Sequence, residues 1–494
     1  MSTVVVIGAG VGGLAVAARL ATAGHQVTVC EAAGQVGGKL GRFDKETRFG
    51  RFRFDTGPSL LTMPHVFAEL FDQTGDPLES AVTLRALEPL TRYRFADGTR
   101  LDSSTDLDRY RARLDGALGG GAGEDWQRLS DRAARIWEAV REGYLESTVD
   151  GPAALARRAL RIRDLAAVAP GRTLRRLGVQ YLRDTRLRQV LDRYATYTGS
   201  DPRRAPAALA VIPHVERLYG GWYVEGGLYV LAEALSAQAT AAGARIRTGM
   251  RVTAIDTAAG AVSGVHIEGG GRLPAEVVVA NADATQLYDS LVPRPRLARR
   301  LRREASLSGL VLLMGVRGRT PGLAHHNVLF PADYDAEFDA VFGSRPAPVT
   351  DPTIYLSVPD DPKIRPDGHE AWFVLVNAPR HGYGGGEVDW DDDGLAGSYV
   401  ARIIGMLARR GLPVADRVVF TETITPADLE RRTGTPGGAI YGTSSNGVRN
   451  AFLRPSNRGP LRGLFLVGGS THPGGGLPLV ALSAKLVADL IGPA

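Results

Sequence analysis

The sequence predicts an α/β protein, because apolar and glycine-rich segments follow one another in the order of strands and helices. The apolar run at residues 4–7 ends at Gly8 and is followed within a turn by a helical pattern of apolar residues. A second apolar run at 27–30 follows that helix, and residues 464–479 repeat the order of strand, glycines and helix. Since strands that alternate with helices form parallel sheets, we expect a Rossmann-type sheet that includes both ends of the chain.

The first strand-to-helix turn carries three glycines with the spacing of a dinucleotide-binding site. Gly8 permits a tight turn, Gly10 lets the backbone approach a pyrophosphate, and Gly13 lets the helix pack closely on the strand. The helix N-terminus offers free N–H groups to the phosphates. Glu31 ends the second strand, where its carboxylate would accept hydrogen bonds from an adenosine ribose and repel the 2′-phosphate of NADP.

Gly37, Gly38 and Lys39 follow this unit directly. Lysine is rare in the chain, which contains four, so a lysine behind two glycines and near the expected phosphates is a candidate point charge for them. The alternative is a surface turn with a solvated lysine.

Several segments resemble those of flavin-dependent amine oxidase-like proteins and, more narrowly, those of the bacterial phytoene desaturase family. They are Glu31 with residues 37–39, the Phe-Asp-Thr-Gly-Pro-Ser sequence at 54–59, and residues 197–202, 220–228 and 464–479. The last of these contains the Gly-Gly-Ser-Thr-His-Pro sequence. The resemblance covers essentially the whole chain and implies FAD as the cofactor.

The resemblance also implies which residues bind FAD. Segment 54–64 would lie beside the isoalloxazine ring, although its residues alone are equally consistent with a simple turn before a helix. Val252 would touch the adenine, and the turn before the helix at Leu477 would hold the ribityl-phosphate arm and the pyrimidine ring. Ser470 stands where many flavoproteins have an aspartate, which favours the desaturases over the amine oxidases. The expected FAD-binding residues are Gly8, Gly10, Gly13, Glu31, Gly38, Lys39, Pro58, Ser59, Val252, Gly469, Ser470, Leu477 and Pro478.

The reaction implied by the resemblance is the desaturation of an acyclic carotenoid such as phytoene. A hydride would pass from an allylic C–H to N5 of the flavin, a proton would be lost from the neighbouring carbon, and a quinone or oxygen would reoxidise the flavin. Because a hydrocarbon offers no group for hydrogen bonding, the length and shape of an apolar tunnel would set specificity. The residues do not single out a catalytic base, and Glu225, Asp55 and His472 are the candidates.

Other reactions stay open at this point. Within the same class they are 3,4-desaturation of a hydroxycarotenoid, oxidation of a terminal methyl group and another flavin-dependent modification of a polyene. Carotenoid isomerisation without net oxidation is a further alternative. An amine oxidase would carry an aromatic cage beside the flavin, and no matched aromatic pair stands near Tyr441 or Phe465.

The chain is expected to leave and re-enter the FAD-binding domain twice. Residues 1–80, 215–295 and 455–494 are assigned to this domain. Residues 81–214 and 296–454 are assigned to an inserted α+β substrate domain, in which residues 126–196 form a helical, basic subdomain. Cofactor binding across such a divided chain would tie its two ends together.

The charge pattern favours a membrane surface over nucleic acid. The formal net charge is +6, from 59 basic and 53 acidic residues. Arginines are interleaved with leucines between residues 153 and 196, as in helices that lie on anionic membranes, although a surface helix with its leucines in the core has the same pattern. Interleaved exposed aromatic residues, which RNA binding would require, are lacking.

The expected location is the cytoplasmic face of the membrane, where the protein would bind peripherally. The apolar run 307–316 is too short to span a bilayer, and a strand that begins beside Met1 leaves no room for a signal peptide. Cys30 is the only cysteine, which excludes an intramolecular disulfide. No metal site is expected at His325 and His326, because neighbours on a strand point to opposite faces and no further ligand has suitable spacing.

Overall fold

A five-stranded parallel sheet organises the fold in the computed structural model, which describes residues 1–149, 168–169, 171–382, 387–392 and 394–494. From one edge to the other, its strands are Leu464–Leu466, Val277–Ala280, Thr3–Ile7, Gln26–Cys30 and Arg245–Arg247. The strand order reverses at Thr3–Ile7, and ligands bind at the carboxyl ends of strands at such a reversal. The predicted α/β fold with a Rossmann-type sheet is confirmed.

The core divides between the two faces of this sheet, because side chains alternate along Thr3–Ile7. Val4 and Val6 pack on one face, and Val5 and Ile7 pack on the other. The first face is covered by the helices Val11–Thr22, Pro64–Thr74, Tyr229–Ala241 and Leu477–Ile491. The second face is covered by an antiparallel sheet of Val252–Ala258, Ala261–Ile267 and Gly271–Pro274.

A second, mostly antiparallel sheet has seven strands. In spatial order they are Val418–Ile424, Ser308–Arg317, His369–Ala378, Ile354–Ser357, His326–Leu329, Arg92–Arg94 and Arg100–Asp102. The predicted hairpin around Asp97 is present, since Arg92–Arg94 pairs antiparallel with Arg100–Asp102. Two-stranded pairs are formed by Arg42–Thr47 with Gly50–Asp55 and by Leu84–Ala86 with Trp222–Val224.

A group of helices packs beside the seven-stranded sheet and shares one apolar core with it. Its members are Leu107–Leu118, Ala122–Val140, Arg141–Leu145, Leu174–Tyr181, Thr185–Arg193, Tyr194–Thr198, Ala207–Ala210 and Val211–Tyr219. The helical character predicted for 126–196 holds where this stretch is described, whereas 150–167 and 170 lie outside the described residues.

The remaining helices and helical turns cover the edges of the sheets. They are Leu78–Ala81, Ala284–Gln286, Leu287–Leu291, Pro295–Arg303, Asp335–Phe342, Leu395–Arg409, Ala415–Arg417, Pro426–Thr433, Pro436–Gly438 and Val448–Phe452. Within the described ranges, none of the helices combines the length and the apolar character needed to cross a membrane.

Candidate functional site

The first glycine-rich turn has the geometry of a tight strand-to-helix junction. Gly8 has a φ of +94°, a conformation that residues with a side chain rarely adopt. A Cβ at Gly13 would lie 2.0 Å from the carbonyl oxygen of Gly8, and one at Gly10 would lie 2.8 Å from Nδ2 of Asn281. Helix Val11–Thr22 has no side-chain cap among the described residues, so its first N–H groups are available to an anion.

Glu31 lies at the carboxyl end of the second strand, where backbone N–H groups hold its carboxylate. Oε2 accepts a hydrogen bond from Ala9 N–H at 2.6 Å, and Oε1 accepts one from Ala33 N–H at 2.8 Å. The carbonyl oxygen of Glu31 accepts a further hydrogen bond from Met250 N–H at 2.7 Å. This contact brings Val252, which begins the next strand and is buried, close to Glu31.

The turn that contains Gly38 and Lys39 packs directly on the first glycine-rich turn. A Cβ at Gly38 would lie 3.2 Å from Cα of Gly10. The Nζ atom of Lys39 donates hydrogen bonds to the carbonyl oxygens of Ala439 and Ile440, at 3.0 and 2.7 Å. Lys39 therefore ties the N-terminal segment to a loop near the other end of the chain.

Pro58 and Ser59 lie in the segment that runs beside this turn. A Cβ at Gly57 would lie 1.9 Å from the carbonyl oxygen of Lys39, so the two backbones are in direct contact. The hydroxyls of Ser59 and Tyr355 share a hydrogen bond of 2.6 Å. Both Pro58 and Ser59 are half-buried.

Gly469 and Ser470 follow the C-terminal strand of the parallel sheet. The Ser470 hydroxyl accepts a hydrogen bond from Ala284 N–H at 2.9 Å, which fixes this turn to the end of the neighbouring strand. The carbonyl oxygen of Gly469 accepts a hydrogen bond from Arg454 at 3.4 Å. Ser470 is buried, with 8% of its surface exposed.

Leu477 and Pro478 form the first turn of the C-terminal helix, Leu477–Ile491. Gly476 precedes them with a φ of +112°. In the described part of the chain no side chain caps this helix, so a second helix N-terminus has N–H groups available to a ligand. This second open helix end supports the predicted repetition of the N-terminal turn.

Asp55 is held at the start of helix Tyr229–Ala241. Its carboxylate accepts hydrogen bonds from the N–H groups of Leu228 and Tyr229, at 2.7 and 2.9 Å. Burial raises the pKa of Asp55 to about 6, while these two N–H groups and the nearby Arg53 and Arg42 act in the opposite direction. Asp55 thus supplies acceptors to N–H groups that lack partners within the helix.

The other two candidate bases also have polar partners. The Glu225 carboxylate forms an ion pair with Nζ of Lys363 at 3.1 Å. His472 is buried and donates a hydrogen bond from Nε2 to the carbonyl oxygen of Ser147 at 2.8 Å. The ring of Tyr144 packs edge-on against the His472 imidazole, with ring centroids 4.8 Å apart.

Asn281 lies against the first glycine-rich turn, although the sequence does not single it out. Its Nδ2 atom donates a hydrogen bond to the carbonyl oxygen of Gly8 at 3.4 Å, and its Oδ1 lies 2.7 Å from the position of a Cβ at Gly12. Asn281 follows the strand Val277–Ala280, which pairs with the first strand. The polar residues that end this strand are the signal, but only the strand order brings them to the first turn.

The residues of this region fit a dinucleotide with a flavin at one end. The first turn and Glu31 lie together at the carboxyl edge of the parallel sheet, where a Cβ at Gly10 or Gly13 would fill the space. The segment with Ser59 and the open helix end at Leu477 would accommodate the second half of such a cofactor. A helix N-terminus favours negative charge, as on a phosphate or a reduced flavin.

Comparison with known proteins places the chain in a flavoenzyme family. The flavin containing amine oxidoreductase family matches residues 11–492. The 4,4'-diapolycopene oxygenase of Methylomonas sp is 36% identical to this chain, over 99% of this chain and 97% of that protein. The zeta-carotene-forming phytoene desaturase of Myxococcus xanthus is 33% identical, over 98% of this chain and 93% of that protein. A crystal structure of an oxidoreductase from Methanosarcina mazei shares the fold, with a TM-score of 0.66 and 17% identity over 99% of this chain and 100% of that chain. The chain therefore belongs to the flavin containing amine oxidoreductase family and is an FAD-dependent oxidoreductase of the branch that includes these carotenoid enzymes.

Proposed function

We propose that this enzyme dehydrogenates a long acyclic polyene of the carotenoid type, such as phytoene, with FAD as the immediate oxidant. The observation that carries the proposal is the identity of 36% and 33% to two carotenoid enzymes over almost the whole chain. Similarity of this extent includes the residues of the seven-stranded sheet as well as those of the glycine-rich turns. It therefore supports a shared class of substrate in addition to a shared cofactor.

The FAD-binding residues of the proposal form two groups. The adenosine and pyrophosphate end would contact Gly8, Gly10, Gly13, Glu31, Gly38, Lys39 and Val252. The flavin end would contact Pro58, Ser59, Gly469, Ser470, Leu477 and Pro478. The two helix ends without side-chain caps in the described ranges, at Val11 and Leu477, support this division, since each suits an anionic part of the cofactor.

The proposed division into domains follows the same two groups of segments. Residues 1–80, 215–295 and 455–494 would hold FAD, and residues 81–214 and 296–454 would hold the polyene. In support, all five strands of the parallel sheet fall in the first set of segments. All seven strands of the larger sheet fall in the second set.

In this proposal the chain positions the polyene and excludes water from the reacting carbon. When bound, FAD supplies the chemistry, by accepting a hydride from an allylic C–H. Beside the proposed flavin end, the chain offers aromatic surface from Tyr355 and Phe373, whose ring centroids lie 6.3 Å apart. Such surface suits a hydrocarbon chain, which gains free energy by leaving water.

Peripheral binding to an anionic membrane and reoxidation by a quinone or oxygen complete the proposal. In support, helix Leu174–Tyr181 exposes Arg176 together with Val179, which is 55% exposed, so a cation and an apolar side chain face solvent together. Sedimentation with liposomes of anionic lipid at low and high salt tests this part. A protein that ignores anionic liposomes at low salt would contradict it.

Oxidation of a terminal methyl group is the second candidate function. It is favoured by the name of the Methylomonas relative, an oxygenase that is 36% identical to this chain. The two functions differ in the mass of the product. Desaturation removes two hydrogens at each step, whereas terminal oxidation adds oxygen.

The test uses the full chain reconstituted with FAD on liposomes that contain phytoene and a quinone. Extracted products are followed by visible absorption and by mass. We expect absorption bands at longer wavelength and losses of paired hydrogens. A gain of oxygen would replace the proposal by the second candidate, and unchanged phytoene with FAD bound would contradict phytoene as the substrate.

A further inference from the structure

Asp283 is a buried carboxylate with one oxygen that accepts no hydrogen bond from the described residues. It follows the strand Val277–Ala280, and 8% of its surface is exposed. Its Oδ1 atom accepts a hydrogen bond from Thr285 N–H at 2.8 Å and caps the helical turn Ala284–Gln286. Its Oδ2 atom is buried and has no such partner in the described part of the chain. Since a buried polar atom without a partner costs free energy, Oδ2 indicates a donor from outside these residues.

The Oδ2 atom of Asp283 lies beside the C-terminal turn of the cofactor site. It is 3.5 Å from the position of a Cβ at Gly442, and the same position is 2.5 Å from Cβ of Ser470. Ser470 also holds the residue after Asp283, because its hydroxyl accepts a hydrogen bond from Ala284 N–H at 2.9 Å. Asp283 is therefore adjacent to the turn that we propose to hold the flavin end.

Two cations balance the charge of Asp283, so what Oδ2 lacks is a hydrogen bond and not a counter-charge. Desolvation lowers the pKa of Lys39 and of Arg454, and the nearby Asp283 carboxylate acts in the opposite direction at both. Lys39 and Arg454 donate hydrogen bonds to the carbonyl oxygens of residues 439–441. Among the described residues, Oδ2 of Asp283 receives none from either cation. A neutral donor would therefore satisfy this oxygen.

The order of the strands in the parallel sheet indicates which part of a bound dinucleotide would pass Asp283. The strands are parallel, so their carboxyl ends share one edge, at intervals of about 4.8 Å. Four adjacent strands are each followed at this edge by a segment of the site. In spatial order, these segments contain Glu31, Gly8, Asp283 and Ser470.

The chemical groups of FAD follow one another in the same order. Glu31 suits the ribose of the adenosine, and the open helix end after Gly8 suits the pyrophosphate. The turn at Ser470 belongs to the proposed flavin end. The ribityl chain connects the pyrophosphate with the flavin ring, so it would pass the strand between these two turns. It carries hydroxyl groups, which are neutral hydrogen-bond donors.

We propose that Oδ2 of Asp283 accepts a hydrogen bond from a hydroxyl of the ribityl chain of FAD. This inference rests on the proposed function, because it uses the proposed flavin end. A hydrogen bond between a hydroxyl and a carboxylate is stronger than one between neutral groups. Asp283 therefore selects for a cofactor with hydroxyls on the arm between pyrophosphate and ring.

Asp283→Asn is the most selective variant, because it changes the free atom and can keep the cap. The amide oxygen can accept the hydrogen bond from Thr285 N–H, which leaves the NH2 group in the place of Oδ2. A donor then replaces the acceptor. Asp106→Asn is the matched control, since Asp106 is exposed and caps the helix Leu107–Leu118 by accepting a hydrogen bond from Arg109 N–H at 3.0 Å.

The test is equilibrium dialysis of the full chain against FAD in competition with each probe, with the bound molecules identified by mass. The probes are three analogues of FAD, each lacking one of the ribityl hydroxyls, and ADP, which has no ribityl chain. A hydrogen bond to a charged group corresponds to roughly 10- to 100-fold in affinity. Wild type and Asp106→Asn should bind one of the analogues more weakly than FAD by this factor.

Asp283→Asn should bind FAD more weakly than wild type, again by roughly 10- to 100-fold, and should bind FAD and the three analogues about equally. All three proteins should bind ADP with the same affinity, because ADP does not reach Asp283.

Equal binding of FAD and the three analogues by wild type would overturn the proposal even if Asp283→Asn does not fold, since Oδ2 would then be satisfied by another donor. Asp283→Asn with the preference of wild type would also overturn it. So would an equal loss of affinity for ADP and FAD in this variant, because Asp283 would then support the fold of the whole site. Failure to convert phytoene concerns the proposed function alone, because these measurements need no polyene.

Discussion

Substitution of Asp55 tests whether this residue is a catalytic base or a residue that stabilises the fold. The Asp55 carboxylate accepts hydrogen bonds from Leu228 N–H and Tyr229 N–H, at 2.7 and 2.9 Å, at the start of helix Tyr229–Ala241. Both oxygens are therefore engaged by backbone donors that have no partner within the helix. We expect Asp55 to act as the acceptor for this helix end and not to remove the substrate proton.

The expected decrease in the free energy of unfolding depends on how many hydrogen-bond acceptors the new side chain retains. At about pH 4, where wild-type Asp55 is largely protonated in the folded protein, Asp55→Asn keeps one oxygen acceptor and should lower the free energy of unfolding by about 1 kcal/mol. Asp55→Ala leaves both N–H groups without a partner and should lower it by about 2–4 kcal/mol, from about 1–2 kcal/mol for each group. The alanine variant should also bind FAD less tightly, since the helix and segment 54–59 border the proposed flavin end.

The pH dependence provides a second measurement on the same residue. Burial raises the pKa of Asp55 from 3.8 to about 6, so the folded protein holds this proton more tightly than the unfolded chain. The stability contributed by this group is fully present below about pH 4 and is lost as the pH rises through about 6, by at most about 3 kcal/mol. Relative to wild type, Asp55→Asn should therefore gain stability as the pH rises from about 4 to about 7.

The assay is urea unfolding across this pH range, combined with bound FAD from its visible absorbance and with polyene turnover. If Asp55 caps the helix, Asp55→Asn should keep FAD bound and keep turnover within about tenfold of wild type. Removal of a positioned catalytic base would instead slow the reaction by about 10²–10⁴-fold. Loss of turnover by more than about 100-fold in Asp55→Asn, with stability and FAD binding unchanged, would refute this reasoning.

Three further substitutions test the cofactor site and the candidate base Glu225. Gly13→Ala places a Cβ 2.0 Å from a backbone oxygen and should abolish FAD binding. The control Gly397→Ala lies in an exposed part of a helix with open space around it, so this variant should bind FAD normally and gain about 0.5–1 kcal/mol in stability. Visible absorbance measures bound FAD, and unfolding measures stability. Lys39→Met removes two hydrogen bonds to residues 439–440 and should weaken FAD binding by roughly tenfold in an equilibrium titration. Glu225→Gln breaks an exposed ion pair and should change stability by less than about 1 kcal/mol with turnover retained, so inactivity would identify Glu225 as essential.

The parts of the site that depend on local backbone chemistry were predictable from the sequence. Gly8 must adopt a positive φ, and Gly13 must admit a backbone oxygen at close range, and both requirements leave a mark in the sequence itself. The open helix ends at Val11 and Leu477 are marked in the same way, by glycines between a strand and an apolar helix. Such turns are typical of phosphate-binding sites, which made the fold class and a bound dinucleotide predictable, whereas FAD as the cofactor was implied by the resemblance to a flavoprotein family.

The parts that depend on contacts between distant segments were not predictable. Arg193 is one of many arginines in a basic stretch, and the sequence does not indicate that it is buried whereas Arg176 is exposed. Its burial follows from the packing of Tyr197 and Tyr355, which come from separate elements. Lys39 was expected near phosphates, and its hydrogen bonds to residues 439–440 could not be derived from sequence spacing.

The chain connects the parallel sheet with the larger sheet through two segments, around residues 55–61 and 222–229. These two segments are bound to each other. Leu61 and Trp222 exchange two backbone hydrogen bonds, at 3.1 and 2.8 Å, and Asp55 joins the same two segments through Leu228 and Tyr229. Ser59, in the first of these segments, shares a hydrogen bond with Tyr355 of the larger sheet, so the proposed flavin end is linked to that sheet at this crossing. A polyene bound against that sheet needs its reacting carbon held to within fractions of an ångström of the flavin. Rigidity at this crossing would serve that requirement, and we therefore expect the half-buried Asp55 carboxylate to have a structural role there.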